Sequence, residues 1–136
     1  MFTLKQQTLP KQIIRTEKAP APIGPYSQAV KAGGFLFISG QVAIDPSTNE
    51  LITENVKDEA HQVMKNIDAI FKASGLTFQH VVKTSIFLSD MSLFAEVNEI
   101  YASYFDGDFP ARETVAVKTL PKNVNVEISI TAVVEL

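Results

Sequence analysis

The chain of 136 residues contains no cysteine and no tryptophan, and it has only two histidines. Without cysteine the protein forms no disulfide, no thiolate nucleophile and no thiolate metal site. His61 and His80 stand nineteen positions apart, outside the close spacings by which paired histidines hold a metal. No serine lies in a G-x-S-x-G elbow. We therefore expect a site without metal or cofactor, built from Arg, Glu, Tyr, Asn and backbone groups.

Long apolar runs and an excess of basic charge are missing as well. No segment approaches the roughly 18 apolar residues that span a membrane, and the first fourteen residues hold no signal-peptide run. Fifteen acidic residues outnumber twelve basic ones, giving a net charge of −3 and a pI near 5.3. This charge repels a phosphate backbone. We expect a cytoplasmic protein with neither a nucleic acid nor a membrane as its partner.

Hydrophobic residues make up 46% of the chain, which is enough for one core at this length. Residues 1–12 have no strong period and are broken by Pro10. They predict a flexible N-terminal extension, followed by a single domain over 13–136. Near the start of that domain, three prolines in the segment KAPAPIGPY predict a rigid, extended loop that leads to Tyr26.

Two segments have the apolar periodicity of a helix. The first lies between Asn55 and Gly75, which are typical residues for a helix start and a helix end. The second follows a cap at Asp90 or Ser92 and stops at the Asp-Gly step that ends at Gly107. Both apolar stripes are expected to face the core.

Alternating or β-branched segments predict the strands. In the last of them, apolar side chains alternate with small polar ones, so one sheet face should take the helices. The other face suits exposure to water or, slightly better, cover by another subunit. The element order β-β-α-β-α-β-β predicts an α+β, two-layer sandwich with two helices on one sheet face. The predicted strands are 28–31, 35–44, 81–88, 112–120 and 124–134.

Two charged residues stand within the last two strands. Arg112 opens a strand of apolar and small residues, where its guanidinium must find a partner. That partner is either a ligand carboxylate or, in a structural ion pair, Glu127 on a neighbouring strand. Glu127 is in turn either a solvated strand residue or a carboxylate whose pKa is raised for proton transfer. The residue types alone leave these alternatives open.

Four sequence blocks carry a resemblance to a known family. They are IGPYSQAV at 23–30, FISGQ at 37–41, FAEVNEIY at 94–101 and PARETVAVKTLPKNVNVEI at 110–128. The last block is the specific one, because its P-x-R start, its Leu-Pro turn and its terminal Val-Glu-Ile occur at the family's spacing. The sequence resembles the RidA/YjgF group of reactive-intermediate (enamine/imine) deaminases, over nearly all of the chain after Ile13.

The resemblance implies a trimer of two-layer subunits with a mixed sheet, similar to the trimeric bacterial chorismate mutase, with three ligand clefts between subunits. It implies hydrolysis of 2-iminobutanoate and 2-iminopropanoate, which arise from enamines such as 2-aminoacrylate, to 2-oxo acids and ammonia without a cofactor. A non-catalytic regulator or carrier of small carboxylates is the alternative function. Family membership does not fix the preferred imine or the enzyme that supplies it.

By the same resemblance, particular residues take roles in the cleft. Arg112 would clamp the substrate carboxylate, and Glu127 would hold and polarise the attacking water. Main-chain groups at Thr114 would meet the substrate beside the guanidinium. Tyr26 would reach the cleft from the neighbouring subunit, or else serve only as an interface packing residue.

Ser39 and Asn98 match the remaining polar positions of the family's cleft. Each has an ordinary alternative, since Ser39 can satisfy backbone groups beside Gly40 and Asn98 can bond backbone near its helix. Two positions depart from the family pattern. Glu113 replaces a small residue and Thr114 replaces a frequent cysteine, so substrate preference is the property they put in question. In a strand Glu113 should face away from the Arg112 side, which Thr114 shares.

Overall fold

Two α-helices pack on one face of a six-stranded sheet in the computed structural model, which describes residues 10–135. The α+β, two-layer prediction is confirmed. Most of the expected N-terminal extension, residues 1–9, lies outside the described residues. Gln12, the last residue assigned to that extension, begins the first strand.

The described residues form the strands β1 (Gln12–Ile14), β2 (Ala29–Ala32), β3 (Phe35–Gln41), β4 (Ile44–Asp45), β5 (Glu50–Leu51), β6 (Val81–Leu88), β7 (Ala111–Ala116) and β8 (Val126–Val133). The six-stranded sheet has the order β1-β2-β3-β8-β6-β7, in which β6 and β7 pair parallel and the other described pairs are antiparallel. Strands β4 and β5 form a separate small hairpin. The mixed sheet thus has β7 at one edge, and β6 separates it from β8.

The first helix, α1 (Val56–Ser74), begins and ends as its sequence predicts. The Asn55 side chain accepts a hydrogen bond from the backbone N–H of Asp58 at 2.9 Å. Gly75 ends the helix with a left-handed φ of 77°, a conformation that glycine adopts without a steric cost. These two caps fix the helix, which lays its apolar stripe on the sheet.

The second helix, α2 (Phe94–Ala102), is shorter than predicted at both ends. Asp90 caps a short 3₁₀ turn over Met91–Leu93 rather than the α-helix itself. At the other end the Ser103 hydroxyl donates to the carbonyl of Ile100, well before the Asp-Gly step that was expected to stop the helix. The aromatic residues beyond Ala102 therefore follow the helix rather than extend it. Among them, Phe105 packs against Tyr101 of α2, with 4.9 Å between the ring centres.

The core lies between α1 and the helix-facing side of the sheet. Alternate residues of the central strands β3, β6 and β8 are fully or almost fully buried there. Burial of such side chains stabilises the fold by about 1.5 to 3 kcal/mol each. Representative core residues are Leu36, Ile38, Met64, Ile67, Phe71, Ile86, Leu88, Ile128 and Ile130.

Strand β7 is also shorter than the predicted 112–120, since it ends at Ala116. As an edge strand it pairs only with β6, and its last register partner is Leu88, where β6 ends. The backbone N–H of Val117 still donates to the carbonyl of Leu88, but β6 ends there, and the segment continues to a 3₁₀ turn over Pro121–Asn123. Among the described residues, no helix is long and apolar enough to cross a membrane.

Candidate active site

Strand β7 carries Arg112 and Thr114 on the face that the helices cover. Their register partners on β6 are Thr84 and Ile86, which are both completely buried. Arg112 reaches the aromatic side chains of α2, with its guanidinium carbon 5.2 Å from the ring centre of Tyr101 and 5.6 Å from that of Phe94. These distances lie within the range of a cation–π contact.

Polar groups around Arg112 are left without partners. Within residues 10–135, no carboxylate forms an ion pair with its guanidinium. The Thr114 hydroxyl is buried, and in the same part of the chain it finds no hydrogen-bond partner. Asn98 is half-buried on α2, four residues after Phe94 and three before Tyr101, so it shares their helix face. We call Arg112, Thr114 and Asn98 the arginine half-site.

Glu127 lies on β8 on the opposite, helix-free face of the sheet. Its neighbours Val126 and Ile128 are fully buried against the helices, and strand alternation sends Glu127 the other way. Partial burial raises the pKa of its carboxyl group above the ordinary value for glutamate. The carboxylate lies against Gly40, where an added Cβ would collide with it.

A cavity of about 340 Å³ adjoins Glu127, and Tyr26 and Ser39 also line it. The Ser39 hydroxyl donates to the carbonyl of Ser27 at 2.6 Å. It therefore satisfies a backbone group, which is the ordinary alternative to a ligand contact. The Tyr26 hydroxyl accepts from the N–H of Ile23 at 3.2 Å, while 47% of the residue remains exposed. We call Glu127, Tyr26 and Ser39 the glutamate half-site.

The two half-sites lie on opposite faces of the sheet within one chain. Arg112 points to the helices and Glu127 away from them, and β6 runs between their strands. The alternative of a structural ion pair between these two residues on neighbouring strands is therefore wrong for a single chain. The strands are not neighbours, and the sequence alone could not reveal the order in which they pair.

Glu113 faces away from Arg112, as strand alternation predicts. It forms an ion pair of 3.0 Å with Lys83 and accepts a hydrogen bond from the hydroxyl of Ser85. These contacts, the Ser85 hydrogen bond first, hold the pKa of Glu113 below its ordinary value. Glu113 is thus already partnered, and it does not compete with a ligand carboxylate for Arg112.

Both histidines make structural contacts within the described chain. His80 accepts a hydrogen bond from the N–H of Thr77 at 3.1 Å and so caps a 3₁₀ turn, while His61 lies 3.0 Å from the hydroxyl of Tyr104. Across the part of the chain that is described, no group of three or more His, Asp or Glu residues is placed to hold a metal ion.

The family model for Endoribonuclease L-PSP, which describes the YjgF/RidA proteins, matches residues 16–134. The chain belongs to the RidA/YjgF family. The name of the model says nothing of the substrate of this chain, whose net charge of −3 opposes RNA binding.

Relatives in the RidA/YjgF family cover most of this chain. A RutC family protein of Pyrococcus horikoshii is 52% identical over 87% of this chain and 94% of its own length. The 2-iminobutanoate/2-iminopropanoate deaminase of Mus musculus is 50% identical over 90% of this chain and 91% of its own. A crystal structure of Escherichia coli TdcF with bound serine is 40% identical, with a TM-score of 0.86 over 90% of this chain and 98% of that one.

Two buried polar residues that sequence reasoning missed hold the glutamate half-site of this RidA-family chain. The Gln28 side chain accepts from the N–H of Thr16 at 2.8 Å and donates to the carbonyls of Ala19 and Pro20 at 3.2 and 2.9 Å. It thereby fixes the proline loop before Tyr26. A glutamine that directly precedes an apolar strand is a weak signal, and nothing in the sequence names its partners.

Glu59 has the corresponding role at the start of β8. It is completely buried on α1, and it accepts hydrogen bonds from the backbone N–H groups of Asn125 and Val126 at 2.7 and 3.1 Å. The contact fixes the chain just before Glu127. A signal was available here, because a carboxylate inside the apolar stripe of a helix must find donors.

Proposed function

We propose that this chain hydrolyses 2-imino acids such as 2-iminobutanoate and 2-iminopropanoate, and their enamine tautomers, to 2-oxo acids and ammonia without a cofactor. The observation that carries the proposal is Glu127, a half-buried carboxylate of raised pKa that opens onto a cavity large enough for a small acid. The name of the mouse relative, a 2-iminobutanoate/2-iminopropanoate deaminase, supports the same chemistry.

Substrate binding falls to the arginine half-site. The guanidinium of Arg112 has no carboxylate partner among residues 10–135, so its planar fork is available for the carboxylate of the imino acid. Main-chain groups of Thr114 would meet the same carboxylate, and Asn98 adds a polar group on that side. The bound serine of the E. coli relative is itself a small carboxylate.

Catalysis falls to the glutamate half-site. Glu127 takes a proton from a water molecule as the water oxygen bonds to the carbon of the protonated imine, which gives a neutral tetrahedral carbinolamine. Glu127 then returns this proton to the nitrogen, the C–N bond breaks, and ammonia leaves as the hydroxyl group gives its proton to Glu127 and the C=O bond of the 2-oxo acid forms. A raised pKa suits this exchange, since the carboxyl group must both accept and return a proton near neutral pH. Tyr26 and Ser39 close the cavity beside it.

The complete site forms between copies of the chain in this proposal. Because the half-sites lie on opposite sheet faces, Arg112 of one copy meets Glu127 and Tyr26 of the next. The two surfaces differ, so the contact is head-to-tail, and repeated contacts of this kind form a ring when the rotation between copies closes. The family resemblance implies a ring of three. Exposed Phe35 and Phe37 on the helix-free face favour its cover by another copy.

The test couples the protein to a threonine or serine dehydratase and traps the surviving imine with semicarbazide. We expect wild type to lower the trapped fraction, and Arg112→Ala with an unchanged assembly state to leave it at the uncatalysed level. If wild type has no effect on the trapped fraction but binds 2-oxobutanoate, the deaminase proposal is wrong. That outcome would favour the non-catalytic carboxylate carrier.

A further inference from the structure

Arg112 is partly buried, and its surroundings contain aromatic rings where such an arginine usually has a carboxylate. The guanidinium lies 5.2 Å from the ring centre of Tyr101 and 5.6 Å from that of Phe94. Among the described residues it takes part in no ion pair. A ring face attracts the cation without accepting an N–H bond in the plane of the guanidinium.

We propose that Phe94 and Tyr101 are positioning residues that orient Arg112 for a ligand while leaving its N–H donors free. The proposal rests on the proposed function, in which Arg112 clamps the substrate carboxylate. A carboxylate neighbour would orient the arginine equally well, but it would occupy the donors that the substrate needs. Rings avoid that competition, and they favour one plane of the guanidinium over others.

A hydrogen bond to strand β6 fixes the ring of Tyr101. The Tyr101 hydroxyl donates to the Thr84 hydroxyl oxygen at 2.8 Å, and Thr84 is the completely buried register partner of Arg112 on β6. Sheet pairing therefore sets the position of the ring relative to the arginine. Phe94 stands seven residues earlier on α2, two helical turns away on the same helix face.

The experiment measures the affinity of the assembled protein for 2-oxobutanoate by titration calorimetry. Phe94→Leu removes the ring but keeps an apolar side chain, and we expect the Kd to rise about three- to tenfold. Phe94→Tyr keeps a ring face and should stay within about twofold of wild type.

The matched control is Phe78→Leu. Phe78 packs against other aromatic rings, including that of Phe105 at 5.4 Å, and makes no cation–π contact with Arg112. We expect it to lower the melting temperature while leaving the Kd unchanged. The proposal is overturned if Phe94→Leu binds like wild type, or if Phe78→Leu weakens binding as much.

A last variant separates this proposal from the function on which it rests. Lysine at position 112 is a point charge with no plane to orient, so Phe94→Leu should weaken binding less in an Arg112→Lys background. If Arg112→Lys binds 2-oxobutanoate as wild type does, the carboxylate clamp itself is wrong. If Arg112→Lys weakens binding and Phe94→Leu does so equally in both backgrounds, only the positioning role fails.

Discussion

Glu127 combines a catalytic type of side chain with an environment that penalises its charge. It is half-buried beside the 340 Å³ cavity, and burial alone accounts for its raised pKa. Such a group gains reactivity toward protons at the expense of fold stability. A substitution at Glu127 should therefore change activity and fold stability in opposite directions.

We expect Glu127→Gln to abolish imine hydrolysis and to raise the melting temperature at neutral pH. A carboxyl group whose folded-state pKa is raised destabilises the fold increasingly as the pH rises from its ordinary pKa through the raised one, because its charged form is partly buried. The gain in melting temperature should therefore shrink as the pH falls through the raised pKa and disappear below the ordinary pKa of glutamate. Thermal unfolding of both proteins across pH 3 to 8 measures this, and an unchanged or lower melting temperature at neutral pH contradicts it.

The pH dependence of kcat/KM in the wild type should also report the raised pKa of Glu127. Hydrolysis requires the ionised carboxylate as base, so kcat/KM should fall as the pH drops through the pKa of Glu127. The midpoint of that fall is expected above the ordinary pKa of glutamate, because burial raises it. Steady-state rates in the coupled assay give the midpoint. A profile that stays flat through this range would show that Glu127 is not the base.

Gly40 provides the space in which the Glu127 carboxylate lies. An added Cβ would collide with the flexible end of the Glu127 side chain rather than with backbone. We therefore expect Gly40→Ala to fold, and to lose on the order of 100-fold in kcat/KM because the carboxylate is displaced. A wild-type rate for Gly40→Ala would contradict this reading.

At the scale of the elements, hydrogen bonds from buried polar side chains hold the loops around the site. Gln28 ties the proline loop to the sheet, and Glu59 on α1 ties down the start of β8. Gln28 lines the cavity, but neither residue acts as a base or a carboxylate clamp in the proposed mechanism. Each nevertheless fixes the backbone from which a proposed site residue projects.

Gln28→Ala should loosen the loop that presents Tyr26. It removes a side chain that is 4% exposed and leaves backbone groups of the loop without their partners, at a cost of about 1 to 3 kcal/mol in the free energy of unfolding. We expect KM to rise more than kcat falls, because the loop closes the cavity around the substrate. Denaturant unfolding and steady-state kinetics check both effects. Unchanged kinetics in a destabilised variant would limit Gln28 to a structural role.

Both helices and most strands of the six-stranded sheet were predictable from the sequence, whereas the order in which the strands pair was not. Alternation along β8 and β7 correctly predicts which side chains share a face, and Asn55 and Gly75 bound α1 as expected. The sequence does not predict the strand order, because the alternation of apolar and polar residues shows which sheet face a side chain occupies but not which strand lies beside it. The short β7 follows from the end of its partner β6 at Leu88, which the sequence of β7 itself does not contain.

The same limit applies to the site. Residue types and the family resemblance predict Arg112 and Glu127 as site residues. Only the structure shows that they lie on opposite faces of the sheet. The stripe of α2 was predicted as core, yet two of its aromatic residues, Phe94 and Tyr101, contact Arg112. Periodicity identifies an apolar face without saying whether a cation lies on it.

At the scale of the whole molecule, a single chain holds both half-sites and completes neither. The arginine half-site lies at the β7 edge on the helix side, and the glutamate half-site opens on the helix-free face. We therefore propose that the active site forms between copies, with Arg112 from one and Glu127 from the next.

Co-expression of Arg112→Ala and Glu127→Gln chains with different tags tests this claim most directly. Each variant alone should be inactive in the dehydratase-coupled assay. In mixed rings of three purified by both tags, about one of the three interfaces joins an intact Arg112 to an intact Glu127, so roughly a third of the wild-type activity should return. If Arg112 and Glu127 instead acted within one chain, every site would lack one of them. Mixed assemblies as inactive as the separate variants would contradict the account.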